Sequence, residues 1–239
     1  MKRTRFLIAA AVVLTLSSCI IGQPGKSVSG NHKVTKTERS VNPFTGVKAS
    51  SGVDVYVSQG DNQSVTVEAD ENLHEHILTE VRGDVLHVYT DINIRDAEKE
   101  RVYVTMKDVK SLETTSAADI IGETPIKTGK LELSANSAGD IKLEVFADEL
   151  RVDISSSGDI SLKGETGKLN ADLSSAGDLK AYDLKAREAD VSVSSAGDAD
   201  INVSEKLTAV ASSAGSVHYT GNPSYVDAHS SSAGGIHKR

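Results

Sequence analysis

The sequence has no tryptophan and few other aromatics, three Phe and six Tyr in 239 residues. A core must therefore be built from Val, Ile, Leu and Ala. There is one cysteine, Cys19, which excludes a disulfide framework. Positive charge is in deficit. Against 34 Asp and Glu stand 26 Lys and Arg, a formal charge of −8 that becomes −11 once Lys2, Arg3 and Arg5 leave with residues 1–18. Such a chain does not seek nucleic acid or anionic phospholipid by bulk charge. After Leu16 there is no long apolar run, so nothing further along is expected to span a bilayer. No G-x-S-x-G elbow, Gly-rich nucleotide motif or Cys–His pair occurs. The "GKS" at Gly25–Ser27 is not a P-loop, because Ile20 stands where the first glycine is required and no strand precedes it.

What is present at the N-terminus is an address. Lys2, Arg3 and Arg5 form a basic region, and Phe6 to Leu16 form a short apolar run. That run suits a signal peptide and is too short to cross a membrane comfortably. The following Leu16-Ser17-Ser18-Cys19 resembles the bacterial lipobox, in which the cysteine becomes the lipidated N-terminus. Lipidation accounts for the lone thiol, and several acyl chains would anchor the chain firmly to a membrane. Ile20 and Ile21 follow in place of the Asp linked to inner-membrane retention, so the resemblance implies the outer membrane of a Gram-negative bacterium. Which face of that membrane is left open. Residues 1–18 are read as the signal and 19–42, polar and aperiodic, as a flexible tether.

The remainder, 43–239, is dominated by a repeat. Its seven copies begin at Ser116, Ser137, Ser156, Ser175, Ser195, Ser213 and Ser232, spaced by 18 to 21 residues. Each copy reads Ser, small, Gly, mostly Asp, then aliphatic; Ala118 holds the Gly place in the first. Between copies the pattern alternates with period two, as in Leu150, Val152, Ile154 before one corner and Ile141, Leu143, Val145 after another. Alternation means strands with one apolar face. A hairpin meander would reverse at each turn, whereas one motif returning at one phase favours a solenoid. The prediction is an all-β, single-domain parallel β-helix of about 19–20 residues per coil, right-handed by the crossover rule. The Gly column is read as a position of positive φ or of close approach between corners.

Before Ser116 the register is looser. Ser50-Ser51-Gly52 looks like a degenerate corner, "SQGDNQ" and "VRGDV" read as turns, and "ENLHEHILTEV" as an extended link. Asp91 to Glu100 reads as a polar loop. These strands are expected to join the solenoid and cap its first coils, and the basic tail His237-Lys238-Arg239 to shield its last edge.

"FTGVKASSGVDVYVSQGDNQSVTVEADENL", then "LHVYT", then the Ser-Ala-Gly-Asp copies together resemble the head GIN domain family of autotransporter adhesins, from Phe44 to the C-terminus. The resemblance implies a β-helical fold, a lipoprotein signal and an adhesin-like role. It supplies no catalytic residues, and an adhesin role inferred from fold is analogy.

One set of side chains is placed together by the repeat itself. Asp119, Asp140, Asp159, Asp178 and Asp198 should stack along one edge about 4.8 Å apart. Each is expected to accept hydrogen bonds from the N–H groups of its own corner. Weaker readings are a row of cation sites, for which Ca²⁺ suits the oxygen ligands, and a catalytic pair on a polysaccharide-cleaving edge. His74-Glu75-His76 lacks the H-E-x-x-H spacing and is read as surface histidine. The aromatics form no obvious column, which lowers a glycan reading. No cofactor, resident metal or catalytic residue is assigned. The function read from this is a non-enzymatic envelope lipoprotein that meets a protein or glycan partner. The alternatives are a polysaccharide lyase or hydrolase using the Asp edge, and a structural or stress-linked envelope protein. Carboxylates converging in a groove with raised pKa would favour the enzyme.

Overall fold

The computed structural model describes residues 26–239. The expected signal peptide 1–18, the expected lipidation site Cys19 and the first residues of the expected tether lie outside the described residues. Nine strands make the N-terminal third: β1 (Ser27–Ser29), β2 (Val34–Glu38), β3 (Gly46–Ala49), β4 (Asp54–Gln59), β5 (Ser64–Asp70), β6 (Ile77–Arg82), β7 (Val85–Thr90), β8 (Asn93–Arg95) and β9 (Glu100–Met106). The regular coils follow as β10 (Ser111–Thr114), β11 (Asp119–Gly122), β12 (Ile126–Ala135), β13 (Asp140–Ile154), β14 (Asp159–Leu173), β15 (Asp178–Ser194) and β16 (Asp198–Ser212). The last coils carry β17 (Ser216–Thr220), β18 (Tyr225–Ser230) and β19 (Gly235–Lys238). No α-helix occurs among the described residues, and the parallel coils stack into a solenoid of about seven turns.

From β10 onward every pairing is parallel, and the registers place equivalent residues of successive copies side by side. Ile120, Ile141, Ile160, Leu179, Ala199, Val217 and Ile236 form one continuous inward row, extended backwards by Val55 and Val102. All but Ile236 are essentially inaccessible to solvent. Leu131, Leu150, Leu169, Ala189 and Leu207 line the opposite strand run. Each large aliphatic side chain so buried contributes about 1.5–3 kcal/mol. That gain exists only between coils, which is why one coil cannot fold alone.

Of the two readings of the corner glycine, positive φ and close approach between corners, the structure supports the second. Positive φ falls on Ser137 (φ 52°) and Ala138 (φ 62°), and on the matching Ser–Ala or Ser–Ser pairs of most other copies. Gly139, Gly158 and Gly177 are not among the positive-φ residues. Glycine is needed for space. A Cβ on Gly158 would lie 2.7 Å from the backbone C and O of Ala135, and one on Gly177 would lie 2.6 Å from the carbonyl oxygen of Gly158. Each corner is closed by its own bond, such as Gly158 N–H to Ser155 O at 3.2 Å. It is also tied to the next coil, as by Ala138 N–H to Ser156 O at 3.2 Å. Stacking thus holds two left-handed residues per corner that would cost about 1–2 kcal/mol each in isolation.

The N-terminal third joins the stack through β3 and β4, which pair in parallel with β10 and β11, and through β7 and β9, which pair in parallel with β3 and β4. β2, β5 and β6 run antiparallel to their partners. The tether reading of 19–42 is corrected from Ser27 on, because β1 pairs with β8 and β2 with β5. β2 escaped notice because almost all of it faces solvent, so it shows no apolar alternation. The expected loop from Asp91 to Glu100 likewise contains β8, and Glu100 opens β9. "ENLH" is a single 3-10 turn, Glu71–Leu73, ahead of β6. His237 and Lys238 of the basic tail lie in β19, which covers β17 in parallel register.

Candidate functional site

The five aspartates of the repeat stand in one ladder, each directly beside the next: Asp119, Asp140, Asp159, Asp178, Asp198. The carboxylates of Asp140 and Asp159 accept from the neighbouring coil and not from their own corner as expected. Asp159 N–H donates to Oδ1 of Asp140 at 3.2 Å, and Asp178 N–H donates to Oδ1 of Asp159 at 3.2 Å. The second oxygen of Asp159 accepts from Lys180 Nζ at 2.6 Å. Two like charges about 4–5 Å apart cost roughly 1 kcal/mol in water and several-fold more near a low-dielectric wall. A hydrogen bond to a charged acceptor returns about 1.5–3 kcal/mol. The ladder is therefore held by backbone amides and a lysine. Among the described residues no group of three His, Cys, Asp or Glu side chains is arranged to hold an ion.

The ladder has a sixth member that the repeat conceals. Asp54 of β4 lies in the same column next to Asp119, because Ile120 registers with Val55. The corner is Ser51-Gly52-Val53, one residue later than the Ser50-Ser51-Gly52 read from the sequence: Ser51 and Gly52 take the positive-φ places of Ser116 and Ala117, and Val53 stands where later copies carry glycine. Arg101 of β9 pairs in register with Asp54 and closes this end of the column. At the other end Ser216 and Gly235 take the place of aspartate.

Protonation follows burial along the ladder. Asp119 is raised above its ordinary pKa, first by burial and then by Asp140 and Asp54. Asp178 is raised by burial and by Asp159, with Lys180 opposing. Asp54 is raised by burial, and Arg101 opposes it. The strongest shift belongs to Glu100, pushed up to about 7 by burial and by the charge of Asp54. Glu100 lines an open cavity of about 840 Å³ near the first corners, together with Ser51, Ser116 and Lys26. Sequence reasoning missed Glu100, which carries no motif.

The histidines serve as ties. His74 Nε2 lies 2.9 Å from Thr35 Oγ1 of β2, and His76 Nδ1 lies 3.0 Å from Asp91. Both sit at the turn between the 3-10 turn and β6. Tyr56 and Tyr103 correct the expectation that aromatics form no column: they are register partners with ring centroids 5.2 Å apart. The two are 47 residues apart in the chain, so only the fold brings them together. Arg101 lies over Tyr56 and Lys36 over Tyr103, while Tyr103 Oη donates to Glu68 at 2.9 Å. The rings are thereby occupied by one another and by cations.

Parallel coils, a largely aliphatic interior and one edge of stacked carboxylates define a β-solenoid protein with a polar, repetitive exterior. The family described as "Putative auto-transporter adhesin, head GIN domain" matches residues 43–223. The chain belongs to this head GIN domain family. Three solved structures share its fold. A "putative adhesin" from Bacteroides fragilis NCTC 9343 superposes with a TM-score of 0.82 at 19% identity, covering 89% of this chain and 100% of that one. A "putative adhesin" from Parabacteroides distasonis ATCC 8503 gives a TM-score of 0.74 at 22% identity, covering 90% and 100%. A "putative lipid binding protein" from the same organism gives 0.71 at 23% identity, covering 90% and 100%. No curated protein matches the chain.

Proposed function

We propose that this chain is a non-enzymatic lipoprotein of the cell envelope, held to the outer membrane through Cys19, whose solenoid presents a rigid surface to a protein or glycan partner. The observation that carries this reading is the ladder. At its centre the carboxylates of Asp140 and Asp159 are spent on backbone amides of adjacent coils, so the most repetitive polar feature of the molecule helps to build the scaffold. The exterior of that scaffold is then free to vary from coil to coil, as a binding surface requires. Membership of a family described as adhesins supports the same reading. Among the described residues no helix is long and apolar enough to cross a membrane, which is consistent with attachment through a lipid.

Adherence tests the reading. Cells producing the protein are compared with cells producing Cys19→Ser, on immobilised host glycoproteins and on partner bacteria. Adherence that rises with the protein and falls in the cysteine variant supports an anchored binding protein. Equal adherence in the presence and absence of the protein contradicts it.

A further inference from the structure

Away from the serine corners, where the alternation of buried and exposed residues breaks in mid-strand, the surface is hollowed into a trough of about 640 Å³ lined by residues of five successive strands, β12 to β16. Its floor is small by register: Thr128, Ala147, Thr166 and Ala186 are successive rungs. What the flanking residues carry changes from rung to rung. On β13 the floor residue Ala147 stands between Phe146 and Asp148, an aromatic face and a hydrogen-bond acceptor. On β14, Thr166 stands between Glu165 and Gly167. On β15, Ala186 stands between Lys185 and Arg187, so both walls are cationic.

These groups are available. Arg187 and Asp148 have no ion-pair or side-chain hydrogen-bond partner among the described residues, and the only tie of Lys185 is a loose contact of 3.8 Å to Glu165. Arg187 lies across Gly167: a Cβ there would be 3.4 Å from the guanidinium and 2.6 Å from Asp148 O. Glycine at that place keeps the wall low and lets the guanidinium face the trough. The strands beneath are paired on both sides, so no backbone edge is open to an added peptide strand.

We infer that this trough binds a linear oligosaccharide lying along the solenoid axis, with a carboxylated sugar at the Lys185–Arg187 end and a neutral ring against Phe146. The inference rests on the binding role proposed above. Rungs repeat about every 4.8 Å, which is close to the length of one sugar unit, so successive sugars meet successive rungs. The single aromatic takes the C–H face of a ring. Asp148 and Glu165 accept from hydroxyls. The planar fork of Arg187 suits a carboxylate held by two parallel bonds.

An array of linear oligosaccharides in matched neutral and uronic-acid forms, probed with the mature protein, tests this. Titration calorimetry follows on the best chain. Three variants are compared: Arg187→Ala, Phe146→Leu, which keeps bulk while removing the ring, and Lys142→Ala on another face as control. Thermal melting of each variant confirms folding. The expected result is a preference for acidic chains. Arg187→Ala should abolish that preference, Phe146→Leu should weaken neutral and acidic chains alike by about tenfold, and Lys142→Ala should change neither. A saccharide bound equally well by both trough variants overturns the inference while leaving a binding role intact. No saccharide bound, with adherence of producing cells preserved, overturns it in favour of a protein partner. Loss of both adherence and array binding overturns the proposed function with it.

Discussion

The amide of Asp178 donates to Oδ1 of Asp159 in the preceding coil at 3.2 Å, and Asp159 does the same to Asp140. A side chain of one coil thus satisfies the main chain of the next, and one residue type repeats because one bond repeats. This relation turns a row of like charges into a scaffold.

Replacing Asp159 separates the bond from the charge. Asp159→Ala removes the acceptor for the Asp178 amide and is expected to cost about 1–3 kcal/mol. Asp159→Asn keeps an oxygen in place, relieves repulsion from Asp140 and Asp178, and loses the Lys180 contact, an exposed pair of about 1 kcal/mol or less. It should fall within about 1 kcal/mol of the native protein. Urea unfolding of both variants checks the difference. Added Ca²⁺ should leave the melting temperature unchanged; a calcium-dependent rise would contradict a ladder held by backbone amides and Lys180 without a cation.

The corners predict an inversion of the usual glycine rule. Gly158→Ala drives a methyl group to within 2.7 Å of the Ala135 backbone and should cost about 1–3 kcal/mol, the range of overpacked cores. Ala138→Gly, at a φ of 62°, should be neutral or slightly stabilising, since strain relief offsets the entropy glycine adds to the unfolded chain. Denaturant midpoints of the two variants should move in opposite directions or differ by more than about 1 kcal/mol.

The inward row is tested at its middle. Ile160 is fully buried between Ile141 and Leu179. Ile160→Ala should cost about 2–5 kcal/mol, whereas the exposed Val210 changed to Ala should cost less than about 0.5 kcal/mol. Thermal melts of the two variants, run together, decide it.

The corners and the inward rows were legible because a period of about twenty residues superposes them in the bare sequence. Other features lay outside that period. Asp54 was hidden because Val53 stands where the later copies carry glycine, which moved the apparent corner one residue early. β2 was hidden because an exposed edge strand carries no apolar alternation. The role of the corner glycine could not be decided from one coil, since the atoms it must avoid belong to the coil before. The stacking of Tyr56 on Tyr103 and the trough across β12 to β16 depend on registers between distant or irregular strands. Floor residues as different as Thr128 and Ala186 share only small size.

Glu100 predicts a pH dependence of definite sign. Its pKa in the fold is about 7 against an ordinary 4.5, so ionising it costs the folded state above pH 7. The cost fades as pH falls from 7 towards 4.5 and is absent below. Discounted for partial exposure, it is about 1–2 kcal/mol. Glu100→Gln should therefore stabilise the protein by about that amount at pH 8 and very little at pH 4. Urea midpoints at the two pH values check this; equal gains at both would contradict it.

The proposed reading, an anchored solenoid whose adherence partner lies outside the cell, is tested most directly by protease shaving of intact cells producing the full chain, with a lysed control. The account predicts that solenoid fragments are released from intact cells, with a periplasmic marker untouched. Protection of the solenoid until lysis would contradict it and place the partner inside the envelope.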